Sequence, residues 1–137
     1  YGGEYEHSPE REIGVFPVTL TEAGLADDHI KGFGKTLNTG HWHGDMPGLT
    51  DNAVVLATSQ GCPRQIVRFS PKHYAFQAHL EFDPEAIDLL IAADGEEHLR
   101  KQNKELPFVQ TPEQLRANDY SEMNKKLYDF LDSLTQA

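Results

Sequence analysis

"QAHLEFDPEAIDLL", residues 77–90, holds the transition that decides how this chain folds. Its first half ends the extended run "HYAFQAH" (73–79), and its second half opens a helix. Asp83 is a helix N-cap type. Pro84 suits the first helical position, where no backbone N–H is needed, and Glu85 sets a negative charge at the positive end of the helix dipole. Just before them His79 and Glu81 stand two apart, and in an extended chain residues i and i+2 face the same side. An imidazole and a carboxylate are thus presented together where a strand gives way to a loop and a helix, the place where α/β sheets carry their active sites. A carboxylate bonded to one ring nitrogen fixes the tautomer and makes the other nitrogen a better base. The same two residues also fit a plain polar contact at a sheet edge, and the group such a base would activate is not among their neighbours.

Working outward, the preceding stretch reads as a series of strands. "IGVFPVTL" (13–20) is apolar and β-branched, with Pro17 pointing to an edge or a bulge. "TEAGLADDHIKGFG" (21–34) is polar and broken by glycines, a loop with at most one helical turn. "KTLNTGHWHGD" (35–45) reads as a strand running into a loop. "AVVLATS" (53–59) follows the turn pair Asp51 and Asn52, and "RQIVRF" (64–69) and "HYAFQAH" (73–79) complete a meander. After residue 83 the pattern becomes helical. "EAIDLLIAAD" forms one helix, and "TPEQLRAN" (111–118) carries a capping box, Thr111 with Gln114. Met123, Leu127, Phe130, Leu131 and Leu134 recur at helical spacing and define one apolar face to dock on a core. Strands first and helices last suggest α+β when read alone.

The 137 residues suit one domain or part of a larger one. No run of about 18 apolar residues marks a membrane span, and the polar opening "YGGEYEHSPEREIG" has no apolar signal core. Lys and Arg number 12 against 22 Asp and Glu, a net charge of −10. Nucleic acids and anionic membranes call for the opposite sign, so neither is expected as a partner. One cysteine, Cys62, excludes an internal disulfide and a Cys-rich zinc site, and such usage fits the cytoplasm.

Two further groups bear chemistry. "HWHGD" (41–45) places His41 and His43 on one side of a strand, the start of a metal site whose third ligand must come from elsewhere; with that set incomplete, no metal is expected. His7, His29, His73 and His98 stand apart from other chemistry-bearing residues in the sequence and read as surface positions. Cys62, in "QGCPRQ", is followed by Pro63 and a strand, not by the helix N-terminus or electropositive turn that lowers a thiol pKa, so a structural role is expected. Neither G-x-G-x-x-G nor G-x-x-x-x-G-K occurs, and no cofactor is expected.

Taken in order, "PEREIGVFPVTLT", "HWHGD", "VVLATSQGCPRQIVRF" and "YAFQAHLEF" resemble the second half of a class I, triad-type glutamine amidotransferase domain, in particular the stand-alone group related to the amidotransferase domain of GMP synthase. The resemblance covers roughly residues 4–90 and continues weakly through the terminal helices. It implies the flavodoxin-like three-layer α/β fold, with residues 1–137 as the C-terminal part of a single domain. It implies a Cys–His–Glu triad in which His79 and Glu81 match the last two members, Leu80 standing where the family has proline. It also matches "HWHGD" to the loop that holds the substrate glutamine, making Trp42, Gly44 and Asp45 candidate glutamine contacts. The family's nucleophile elbow, of the form G-x-C-x-G-x-Q, has no counterpart here, and Cys62 does not match it. The resemblance therefore implies that the nucleophile lies in an N-terminal half outside this sequence, and that the segment alone is inactive.

The expected activity is hydrolysis of the glutamine side-chain amide through a cysteine thioester, giving glutamate and ammonia for an unknown acceptor or synthetase partner. No ATP-pyrophosphatase segment of the kind a complete GMP synthase carries is present. Two alternatives from other classes are a non-catalytic binding or regulatory relative and a metal-dependent hydrolase using His41, His43 and His79.

Overall fold

The computed structural model describes residues 2–135. Its centre is a long hairpin. Strand β1 (Glu6–Leu20) pairs antiparallel with β2 (Thr36–Met46), from Thr19 opposite Thr36 to Glu6 opposite Met46, with an irregularity between His7 and Glu12. The meander continues through β3 (Val54–Thr58), β4 (Ile66–Ser70) and β5 (His73–Phe76), giving the order β2-β1-β3-β4-β5. A two-residue strand, β6 (Phe108–Val109), adds in parallel beside Glu12 and Ile13 of β1.

Pro17 explains itself in this topology. On the side of β1 away from β2, β6 pairs residues 12 and 13 and β3 pairs residues 19 and 20. Between them the Gln110 side chain takes over, accepting from the Val15 N–H at 3.1 Å and donating to the Val15 carbonyl at 3.3 Å. A residue with no N–H is tolerated in that gap between ladders.

The connection from β1 to β2 contains the short helix α1 (Glu22–Ala26), capped by Thr21, and a 3-10 turn (Lys31–Phe33). The helices of the second half are α2 (Pro84–Asp94), α3 (Glu96–Glu105), α4 (Pro112–Ala117) and α5 (Ser121–Thr135). Asp83 caps α2 by accepting from the Ala86 N–H at 2.8 Å, and the Thr111–Gln114 capping box is closed in both directions. The apolar face of α5 docks as its spacing predicts. Met123 and Phe130 are buried, with Phe130 set against Tyr74 and Phe76 at centroid separations of 5.2 and 5.0 Å. Leu127 and Leu134 pack at the margin, while Leu131 is exposed, one position round the helix from the stripe.

Three elements depart from the sequence expectation. Helix α3 has no apolar stripe: one leucine, Leu99, is fully buried while its charged residues face water. Strand β6 is too short to leave a pattern. "HWHGD" is not a loop but the continuous second half of β2, because the β1 arm extends back to Glu6 and pairs it to the end.

Candidate functional site

The opening pair meets. His79 Nδ1 and Glu81 Oε1 lie 2.6 Å apart. Strand β5 ends at Phe76, so regular strand geometry does not hold the pair. His79 instead forms an isolated antiparallel bridge with Gly40 of β2, its N–H donating to the Gly40 carbonyl at 2.7 Å and its own carbonyl accepting from the Gly40 N–H at 3.0 Å. The imidazole stacks on the Phe82 ring, with centroids 4.6 Å apart and planes 8° from parallel.

Three residues that sequence reasoning passed over make this loop rigid. Gly40 is needed for the approach: a Cβ there would collide with the Phe82 ring and sit 2.8 Å from the His79 carbonyl oxygen. Asn124 of α5 donates to the carbonyls of Leu80 at 2.6 Å and Phe82 at 3.0 Å, clamping both sides of Glu81. Phe82 is buried beneath the imidazole. Leu80 is also buried, so packing supplies the stiffness that a proline would have given by its ring. The signals for Gly40 and Asn124 were faint, one glycine in a strand pattern and one amide on a helix. With Nδ1 committed to Glu81, the ring's Nε2 has no partner among the described residues and is available for proton transfer.

The candidate glutamine contacts all lie on β2. Trp42, two residues beyond the Gly40 bridge, is half-buried and packs against the core. Asp45 is five residues along, roughly 17 Å at the usual strand rise, and its carboxylate bonds to His7 at 2.8 Å. Gly44 lies between them, with Arg11 across the ladder.

Cys62 is fully buried in a tight turn, its N–H bonded to Ser59 Oγ at 3.2 Å and its carbonyl to the Ser59 N–H at 2.8 Å. Burial pushes its thiol pKa up, and the Glu12 carboxylate adds to this. Burial outweighs Arg64, which acts to lower that pKa, so the surroundings favour the thiol over the thiolate.

His41 and His43 are buried side by side and are joined by Glu12 of β1, which the ladder places opposite His43. Gln65 and Ser59 complete the group: the Gln65 amide donates to Glu12 Oε1 at 2.6 Å and Ser59 Oγ to Glu12 Oε2 at 2.8 Å. Burial, with the neighbouring imidazole in second place, holds the His41 pKa down at about 3. Burial, then the nearby His79, holds His43 at about 4. Burial pushes Glu12 up from the ordinary carboxylate value against the hydrogen bonds of Ser59 and Gln65. Among the described residues the third group beside the two histidines is Glu12, not His79.

In sequence, the chain is 52% identical over 130 residues to the glutamine amidotransferase-like protein YfeJ of Salmonella typhimurium, an alignment covering 95% of this chain and 54% of that protein. Over nearly all of its length this chain is similar to part of a glutamine amidotransferase-like protein. The solved structure of SMU.1228c is 54% identical to this amidotransferase-like chain and superposes with a TM-score of 0.95, covering 99% of it and 57% of that protein. A glutamine amidotransferase of Thermotoga maritima, 20% identical, shares the fold with a TM-score of 0.81, covering 99% of this chain and 56% of its own. The amidotransferase-like chain therefore spans about half the length of the relatives it matches. The mixed α/β fold with a curled, largely antiparallel sheet is thus a portion of the flavodoxin-like amidotransferase architecture. No family model matches the chain. No helix among the described residues is long and apolar enough to cross a membrane.

Proposed function

We propose that this chain supplies the base and its orienting acid to a glutamine amidotransferase, with the nucleophilic cysteine carried by the rest of the protein. The observation that carries the reading is the His79–Glu81 contact, seated on β2 through Gly40 with Nε2 free.

The chemistry follows from that arrangement. His79 Nε2 takes the thiol proton as the sulfur attacks the side-chain carbonyl carbon of glutamine. The tetrahedral intermediate collapses with cleavage of the C–N bond, and His79 hands its proton to the departing ammonia. Water then attacks the glutamyl thioester as Nε2 accepts one of its protons; the proton passes to the leaving sulfur, and glutamate is freed. Glu81 keeps the proton of the neutral ring on Nδ1 and stabilises the imidazolium during each transfer. Trp42, Gly44 and Asp45 are the candidate contacts for the glutamine. Trp42 and the backbone near the Gly40 bridge are the best placed of these, and Asp45 would have to leave His7 to take part. The ammonia acceptor is supplied by a synthetase partner or a further substrate.

The test is glutamate and ammonia release from glutamine by the natural full-length protein, compared with its His79→Ala variant and with the variant of the cysteine in its nucleophile elbow. Loss of release in both supports the reading. Release that instead depends on Cys62 would overturn it.

A further inference from the structure

The interior grouping of Glu12, His41, His43 and Gln65 has no part in the proton transfers above. Three of its atoms converge: His41 Nδ1 and His43 Nε2 are 3.2 Å apart, His43 Nε2 and Glu12 Oε1 3.3 Å, and His41 Nδ1 and Glu12 Oε1 3.8 Å. A triangle with those edges has its corners roughly 2.0 Å from its centre, the ordinary zinc–nitrogen and zinc–oxygen bond length.

Two imidazole nitrogens and a carboxylate oxygen face one another at that point. His41 Nε2 lies 3.2 Å from the Phe16 carbonyl oxygen, which can only accept, so the ring proton is on Nε2 and a lone pair is left on Nδ1. Glu12 Oε1 brings further lone pairs to the same point. The Gln65 amide nitrogen closes the group from the fourth side, donating to Glu12 Oε1 at 2.6 Å and lying 3.4 Å from His43 Nε2, while His43 Nδ1 is buried without a partner. The ion-pair partners of the Glu12 carboxylate among the described residues are these two imidazoles, and no side chain in the group is more than 3% exposed. A buried carboxylate facing neutral imidazoles calls for a cation or a proton.

Two further features favour a cation. A ring nitrogen bonded to a backbone carbonyl is the usual outer support of a metal-bound histidine, and His41 has it, with Thr39 Oγ1 3.0 Å from the same nitrogen. Gln65 Oε1 is buried without a partner. Half a turn of that amide would bring an oxygen to the fourth side of the site in place of the nitrogen now there.

We propose that Glu12, His41 and His43 form a structural site for a divalent transition metal of the zinc class, with the Gln65 amide oxygen or a water as fourth ligand. The ion ties β1 to β2 beneath the strand on which His79 is seated. Two nitrogens and one carboxylate suit zinc, cobalt or nickel over magnesium or calcium, which take mainly oxygen ligands. The site is closed to solvent, so the ion enters during folding and exchanges slowly. This inference does not rest on the amidotransferase reading, because its readout is bound metal and not ammonia.

The natural full-length protein is unfolded in a chelator, refolded with zinc or cobalt chloride, and freed of excess ion by gel filtration. One equivalent of zinc per chain is expected by elemental analysis, together with the visible d–d absorption of four-coordinate cobalt. Glu12→Gln and His43→Gln keep hydrogen-bonding shape but should lower zinc affinity on the order of a hundredfold or more. Should either variant fail to fold, X-ray absorption on the wild-type zinc protein decides the matter: two imidazoles and oxygen at about 2.0–2.1 Å are expected. Less than a tenth of an equivalent bound, zinc retained equally by both folded variants, or a shell without two imidazoles overturns the proposal.

Discussion

His79 and Glu81 keep 34% and 59% of their side-chain surface in water, whereas Glu12, His41 and His43 keep 1%, 0% and 3%. Both groupings set imidazole against carboxylate, and both are tied to β2, the first through Gly40 and the second through the neighbouring positions 41 and 43. Solvent separates their chemistry. The exposed pair keeps a ring nitrogen, Nε2, open to a substrate or a second group. In the buried group desolvation drives both histidines towards the neutral form and the carboxylate towards its acid, so it is suited to holding a shape or an ion and not to turning over protons. A histidine set against a glutamate therefore says little until burial is known.

The sharpest way to break this contrast is to remove the exposed base. In the full-length protein His79→Ala should lower glutaminase turnover by roughly 10²–10⁴-fold, with KM within a few-fold of the parent, in steady-state ammonia release. Near-normal turnover, or a loss confined to KM, would make the dyad as structural as the buried group.

The buried group should instead declare itself in acid. His41 and His43 have folded pKa values of about 3 and about 4, below the ordinary 6.5. The unfolded chain therefore binds more protons than the folded one as pH falls below 6.5, and stability falls with it until the folded values are reached. Glu12 acts in the opposite sense, its raised folded pKa contributing stability that is lost as pH rises through that value, and so it offsets part of the slope. The net expectation is a loss on the order of a few kcal/mol between pH 7 and pH 4. Urea midpoints of the metal-free protein across that range measure it, and the slope should flatten in His41→Gln; an unchanged slope would show that His41 is not a source.

Gly40→Ala probes the seat that the exposed pair borrows from β2. The new Cβ has no room beside the Phe82 ring and the His79 carbonyl, so a cost of about 1–3 kcal/mol is expected. Turnover should fall through kcat as the imidazole is displaced. A variant with the parent's unfolding midpoint and kcat would show that the bridge is dispensable.

The smallest effect is expected from Glu81→Gln, which leaves a hydrogen-bonding group beside His79 Nδ1 and removes the charge that steadies the imidazolium. Turnover should drop about tenfold, less than for His79→Ala, in steady-state ammonia release. A loss as deep as that of His79→Ala would mean that Glu81 does more than orient.

Much of this was present in the sequence because it is local. The Asp83 cap, the Thr111–Gln114 box, the period-two strands and the α5 stripe each depend on residues within one or two turns of one another, and each formed where its pattern lies. The pairing of His79 with Glu81 is local in the same way. The buried group is not: Glu12 meets His43 through the hairpin register, and Gln65 arrives from β4. Glu12 sits in the polar opening "SPEREIG", where it looks like one more surface acid, and nothing nearby says that it will be covered. The extension of β2 through "HWHGD" was hidden for the same reason, since a strand's end depends on how far its partner continues. Sequence determined most of the elements, their caps and the contact between His79 and Glu81, because short-range sterics and hydrogen bonds decide those. Tertiary structure decided which histidines see water, which carboxylate meets which imidazole, and that Gly40, Phe82 and Asn124 hold the dyad in place, because burial and register arise only when distant segments pack together.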